Sequence, residues 1–163
     1  MKVKLIAIAA LGKNREIGLN GKVPWDLPDE YARFRETIKG QYVIIGRKNF
    51  ELHGKKVNGA HPLVLTLGSH YEAPNALVFQ NIVEIISYAE GRNIEKLYVM
   101  GGGQIYKLAL PYLSEFLWTE VDYSGPADSY FPDFSMFDWT QVSEENHQTW
   151  KLRHLVKIPH MPY

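Results

Sequence analysis

Three consecutive glycines, Gly101-Gly102-Gly103, stand between an apolar run ending at Val99-Met100 and a helical pattern from Gln104 to Leu110. Each glycine raises the entropic cost of folding, and no packing need at a strand-to-helix junction asks for three. A backbone cradle for phosphate does ask for them, because bare amides approach an anion closely and a helix start adds free N–H groups. The feature therefore predicts a buried strand that delivers this loop to the edge of a layered α/β sheet. The spacing is not G-x-G-x-x-G, which disfavours an ordinary Rossmann site.

The remaining pattern agrees with that layering. Val3 to Leu11 reads as a buried strand; Lys2 and Lys4 lend it a slight likeness to a signal peptide, but the apolar run is short and Lys13 to Glu16 follow at once. Helical periodicity begins at Pro28, with Asp29 and Glu30 in the first turn and Tyr31, Phe34 and Ile38 on one face, and ends at Gly40. Tyr42 to Ile45, Leu63 to Leu67, Ala76 to Phe79 and Lys96 to Met100 read as further strands. Short helices are expected over Asn49 to His53, Val83 to Glu90 and Gln104 to Leu110. Phe116 to Val121, Thr140 to Glu145 and Trp150 to Ile158 close the chain as strands. This predicts one domain over residues 1–163: a mainly parallel central sheet with an antiparallel C-terminal edge and helices on both faces. Ligands would sit at the carboxyl ends of its strands.

Composition narrows the function. Eighteen basic residues balance eighteen acidic ones, so no net field points to nucleic acid or an anionic membrane. No cysteine is present, which rules out disulfides, thiolate metal sites and a cysteine nucleophile and suits a reducing compartment. The six histidines show no metal-ligand spacing. No stretch reaches the roughly 20 apolar residues of a membrane span. The expectation is a cytoplasmic protein, monomeric, with no metal.

Three more stretches carry chemistry. Ile17-Gly18 through Pro24-Trp25 to Pro28 is either a surface connector or a flexible lid that excludes water from a flat ring. Glu30 is either a solvated partner of the helix dipole or the chain's one buried catalytic carboxylate. In the second case an amidine edge donates to it while burial raises its pKa. Gly46-Arg47-Lys48-Asn49 is a strand-to-helix turn bearing two cations, suited to phosphate or merely basic. Two phosphate-friendly helix starts on one sheet edge suggest a dinucleotide.

In order, Ala9-Ala10, Ile17-Gly18, Pro24-Trp25-x-Leu27-Pro28, an acid two residues later, Gly46-Arg47-Lys48, Gly101-Gly102-Gly103 with Tyr106, Thr119 and Phe131-Pro132 resemble the dihydrofolate reductase family over nearly the whole chain. The resemblance implies NADPH-dependent reduction of 7,8-dihydrofolate to 5,6,7,8-tetrahydrofolate, by hydride transfer to C6 and protonation of N5. It implies that Glu30 grips the pterin, supported by Thr119, with Trp25 in the lid and a water near Glu30 as proton donor. Ile8, Ala9, Tyr31, Phe34, Val57, Met100 and Tyr106 would line the substrate pocket. Ala10, Ile17 and Gly18 would face the nicotinamide. Gly46, Arg47, Lys48, Asn49, Leu65, Thr66, Gly101, Gly102, Gly103, Gln104, Ile105 and Tyr106 would hold the rest of the cofactor.

The departures matter. Where that family usually carries an arginine for the folate tail carboxylate, this chain has Ala60, and Leu52 and His53 are unusual in the segment before it. A lost charge-assisted bond costs roughly 1.5–3 kcal/mol, with Arg35 and Lys55 as candidate substitutes. The strand over Leu63 to Leu67 ends without the acid that grips a free ribose diol, which favours NADPH, read by Arg47 with help from Ser69 or His70. Two rival readings stand beside this one. One is a same-fold reductase of another heterocycle, such as the pyrimidine of riboflavin synthesis; the other is a non-catalytic pterin- or nucleotide-binding module.

Overall fold

The computed structural model describes residues 3–68, 71–73 and 75–159, without the side chains of Lys55 and Lys56. Ten strands and four helices follow in order: β1 (Lys4–Leu11), β2 (Glu16–Gly18), α1 (Pro28–Ile38), β3 (Tyr42–Gly46), α2 (Arg47–His53), β4 (His61–Leu65), β5 (Leu77–Phe79), α3 (Ile82–Gly91), β6 (Lys96–Val99), α4 (Gly103–Ala109), β7 (Glu115–Val121), β8 (Ser129–Tyr130), β9 (Trp139–Asn146) and β10 (Trp150–Lys157). Eight of the strands form one sheet in the order β5-β4-β3-β6-β1-β7-β10-β9. Pairing is parallel from β5 through β7 and antiparallel at β7–β10 and β10–β9.

Strand periodicity sorts the core into two layers. Along β1, Leu5, Ala7, Ala9 and Leu11 enter one cluster while Ile6 enters the other. The first layer meets Ile82, Ile85, Ile86 and Ala89 of α3 and Ile105, Tyr106 and Ala109 of α4. The second meets Ile38 and Phe34 of α1 and Phe50 of α2. Helices thus cover both faces, as the alternation predicts. Asn81 caps α3 by accepting from the Glu84 amide at 2.8 Å, and the Glu84 carboxylate accepts from the Gln80 amide at 3.3 Å.

Several expected bounds shift for local reasons. The fourth strand runs from His61 to Leu65 rather than Leu63 to Leu67, because His61 and Pro62 pair with Tyr42 and Val43 of β3. Helix α2 starts at Arg47, with Gly46 as an extended N-cap, and passes into a 3-10 turn over Gly54–Val57. Pro111 does not end helical structure outright; it sits inside a 3-10 turn, Leu110–Tyr112. Two short strands escape the sequence pattern, β2 and β8, which pair with each other beside the main sheet.

Candidate active site

At the carboxyl ends of β1, β3, β4 and β6 lies a cleft of about 1590 Å³. One small ligand typically fills 300–1,000 Å³, so two fit here together. Ile8, Ala9 and Ala10 of β1 form its floor. Glu30, Tyr31 and Phe34 of α1, with Thr119 of β7, wall one half; Gly46 to Asn49, Leu65, Thr66 and Gly102 to Tyr106 wall the other.

Glu30 reaches the first half because Pro28 starts α1 and places residue 30 on the first turn, facing the cleft. It is half-buried rather than fully buried. Its charge reaches Tyr106, whose hydroxyl is pushed well above the ordinary tyrosine range, first by burial and then by Glu30. That phenol donates to the Ile8 carbonyl at 2.8 Å, so it stays neutral and fixes the end of β1. Among the described residues the fully buried carboxylate is instead Glu16, 1% exposed and away from the cleft walls.

The three glycines do different things, and two of them have the packing rationale that the sequence hides. Gly101 has φ +97°, and a Cβ there would lie 2.6 Å from the Tyr106 ring. At Gly103 a Cβ would lie 2.8 Å from the Tyr130 carbonyl. Gly102 faces the cleft, where a Cβ would meet only Asn49 Nδ2 at 3.2 Å. Gly46 is likewise a packing glycine, since a Cβ would meet Ile105 at 2.8 Å. Both helix starts, capped by Gly46 and Gly102, lack a side-chain cap and leave amides free for an anion. Arg47 pairs with Glu51 at 2.9 Å and stacks over Tyr71 at 4.1 Å, so an anion drawn to this guanidinium would compete with a half-exposed, weak ion pair.

The lid is more ordered than its glycines suggest. Asn20 and Gly21, at φ +52° and +78°, are the central pair of a two-residue hairpin closed by Leu19 and Lys22. Asp128 holds it from one side, accepting from the Asn20 amide at 2.9 Å while its own amide donates to Gly18. On the other side the His53 ring contacts the Gly21 carbonyl at 2.5 Å. Trp25 lines the cleft and packs edge-on to Tyr123 at 5.5 Å.

Three expected placements need correction. Val57 is 4% exposed inside the second core layer rather than on the pocket wall. Arg35 lies outside the walls, its guanidinium 3.5 Å from the Tyr31 hydroxyl and 3.4 Å from the Asn58 carbonyl, beside the turn that carries Ala60. Gly101 is behind the cleft, not in it. The side chain of Lys55, and Ser69 and His70 altogether, lie outside the described residues. Met100, Ile17 and Gly18 do line the cleft. So do Leu117, Leu152 and Asp128, which sequence reasoning missed; for Asp128, an aspartate in a Gly-Pro loop, no sequence signal marks a lid contact.

A family model described as dihydrofolate reductase matches residues 4–157. The chain belongs to the dihydrofolate reductase family. It is 33% identical over 146 residues to dihydrofolate reductase type A13 of Escherichia coli, covering 90% of this chain and 88% of that one. It is 32% identical over 141 residues to dihydrofolate reductase of Neisseria gonorrhoeae, covering 86% of each. A solved dihydrofolate reductase of Enterococcus faecalis, complexed with NADP(H) and RAB-propyl, superposes with a TM-score of 0.84 at 24% identity, over 96% of this chain and 98% of that one. Neither a riboflavin-pathway reductase nor a non-catalytic module is favoured by these likenesses. Among the described residues no helix is long and apolar enough to cross a membrane.

Proposed function

We propose that the two halves of the cleft seat dihydrofolate against Glu30 and NADPH against the glycine loop. The chain is an NADPH-dependent oxidoreductase that reduces 7,8-dihydrofolate to 5,6,7,8-tetrahydrofolate. One juxtaposition carries the reading: a half-buried carboxylate on an aromatic helix face opposite a glycine loop that leaves room for a pyrophosphate. Bound there, NADPH supplies a hydride to C6.

The chain's own residues do the rest. Glu30 accepts hydrogen bonds from the amidine edge of the pterin and polarises the water that protonates N5. Thr119 supports Glu30 from β7. Tyr31 and Phe34, whose rings stack at 6.2 Å, hold the flat ring system. Gly102 admits the pyrophosphate past Asn49, and Arg47 reads the 2′-phosphate from between Tyr71 and Glu51. Trp25 and the 19–22 hairpin exclude water from the reacting atoms. Absence of cysteine supports a cytoplasmic setting.

The test is NADPH consumption with dihydrofolate as the sole acceptor, run beside the pyrimidine substrate of riboflavin synthesis. Consumption with dihydrofolate alone is expected; consumption with the pyrimidine alone would overturn the reading.

A further inference from the structure

Among the described residues, the mechanism leaves one buried charged group unused. Glu16 is 1% exposed, yet among the described residues its side chain meets no cation. Its Oε1 accepts from the Asn14 amide at 2.7 Å and its Oε2 from the Gly125 amide at 3.2 Å. A buried carboxylate is stable only when such bonds replace its water. The turn from Gly12 is wrapped around it: Gly12 donates to the Glu16 carbonyl at 2.9 Å, and a Cβ on Gly12 would sit 2.5 Å from Oε1. The carboxylate thus joins two segments 109 residues apart, the β1–β2 turn and the 122–128 loop.

Those two segments support the lid. Ile17 and Gly18, on the cleft wall, follow Glu16 directly. Asp128 of the same loop holds Asn20, and Tyr123 packs on Trp25. We propose that Glu16 is a positioning residue for the reductase reaction, its carboxylate clamping the β1–β2 turn to the 122–128 loop and so fixing Ile17, Gly18 and the lid over the cofactor half of the cleft. The inference rests on the reading of that half as the NADPH site.

The clamp works in the ionised form, since both partners are donors. Burial raises the pKa of Glu16, but backbone N–H groups of Glu16, Asn14 and Gly125 outweigh it and hold the carboxyl below its ordinary 4.5. The other charged or titratable groups on these elements are engaged elsewhere. Lys13 pairs with Asp122 at 3.0 Å, Arg15 donates to the Phe131 carbonyl at 2.7 Å, the Tyr123 hydroxyl donates to the Pro126 carbonyl at 2.7 Å, and Asp128 takes the Asn20 amide.

Glu16→Gln keeps the shape but turns an amino group towards one of the two donors. The experiment measures NADPH affinity by fluorescence titration and steady-state constants with dihydrofolate, for both proteins at neutral pH. The variant is expected to bind NADPH at least fivefold more weakly, with the Michaelis constant for dihydrofolate within twofold of wild type. Wild-type and variant NADPH affinities within twofold of each other would overturn the clamp; a wild type that neither binds NADPH nor reduces dihydrofolate would overturn the underlying reading instead. If the variant does not fold, wild type labelled with fluorotryptophan decides, its Trp25 resonance assigned through Trp25→Phe. On acidification that resonance is expected to shift before far-ultraviolet circular dichroism reports unfolding. A Trp25 signal that moves only with global unfolding would overturn the clamp.

Discussion

Gly46 donates its amide to the carbonyl of Gly101 at 2.8 Å, so the turn after β3 and the turn after β6 are stitched into one surface. The proposed cofactor recognition on that side of the cleft stands on this seam. Gly101 shapes it from behind, Gly46 packs against Ile105 at the cleft wall, and Gly102 faces the cleft where the pyrophosphate is proposed to sit.

Single alanines separate those jobs. Gly101→Ala forces a residue with a side chain into φ +97° and against the Tyr106 ring. A cost of about 1–3 kcal/mol is expected, or roughly 2–4 °C of melting temperature per kcal/mol. Gly102→Ala meets only Asn49 and is expected to melt within a degree or two of wild type, while raising the Michaelis constant for NADPH roughly tenfold, the effect of about 1.4 kcal/mol. Melting curves and NADPH kinetics on the two variants check this.

Glu30→Gln preserves shape and removes charge. It is expected to fold normally and to lose most turnover at neutral pH. Turnover within about threefold of wild type, equal to roughly 0.65 kcal/mol, would show that Glu30 is not the acid that serves N5.

Arg47→Ala is expected to raise the Michaelis constant for NADPH far more than that for NADH, because the two cofactors differ only at the 2′-phosphate. Equal effects would assign Arg47 to the shared pyrophosphate. Glu51→Gln removes the ion pair that competes with phosphate and is expected to lower the NADPH constant modestly.

Acid stability should carry the signature of Glu16. Its folded pKa lies below the ordinary 4.5, so its stabilisation is complete above the unfolded value and is lost as pH falls through the folded one. Thermal melts of wild type and Glu16→Gln are therefore expected to differ most at neutral pH and to converge as pH falls below the ordinary carboxylate range.

Much of this fold was legible because strand periodicity and glycine placement are local signals: β1, β3, β6 and the loop after β6 can be read from a dozen residues each. What stayed hidden depends on distant partners. Nothing near Gly101 or Gly103 foretells Tyr106 and Tyr130 pressing on them, so packing glycines looked like ligand glycines. The Asn20-Gly21 pair did carry a hairpin signal, and reading it as mere flexibility overlooked the positive-φ turn those two residues favour. The burial of Glu16 is hidden for the same reason, since the Gly125 amide from which it accepts lies in another segment.

Ala60 marks the substrate side. Arg35, held between Tyr31 and Asn58 beside it, is only partly buried and would be individually weak as a tail partner. Dihydrofolate binding is expected to weaken steeply with salt, because exposed pairs are screened within about 10 Å at 0.1 M. Ala60→Arg is expected to tighten dihydrofolate by up to about 3 kcal/mol and to leave a tail-less pterin almost unchanged. Unchanged dihydrofolate binding and no salt dependence would place the tail elsewhere.

The most direct measurement follows the hydride itself. NADPH carrying deuterium at the transferring C4 position is incubated with the chain and dihydrofolate, and the product is analysed by mass spectrometry and proton NMR. Tetrahydrofolate with one deuterium at C6, formed in step with NADPH consumed, is the expected result. NADPH consumption without tetrahydrofolate, or a product with no deuterium at C6, would contradict the placement of the two ligands in this cleft.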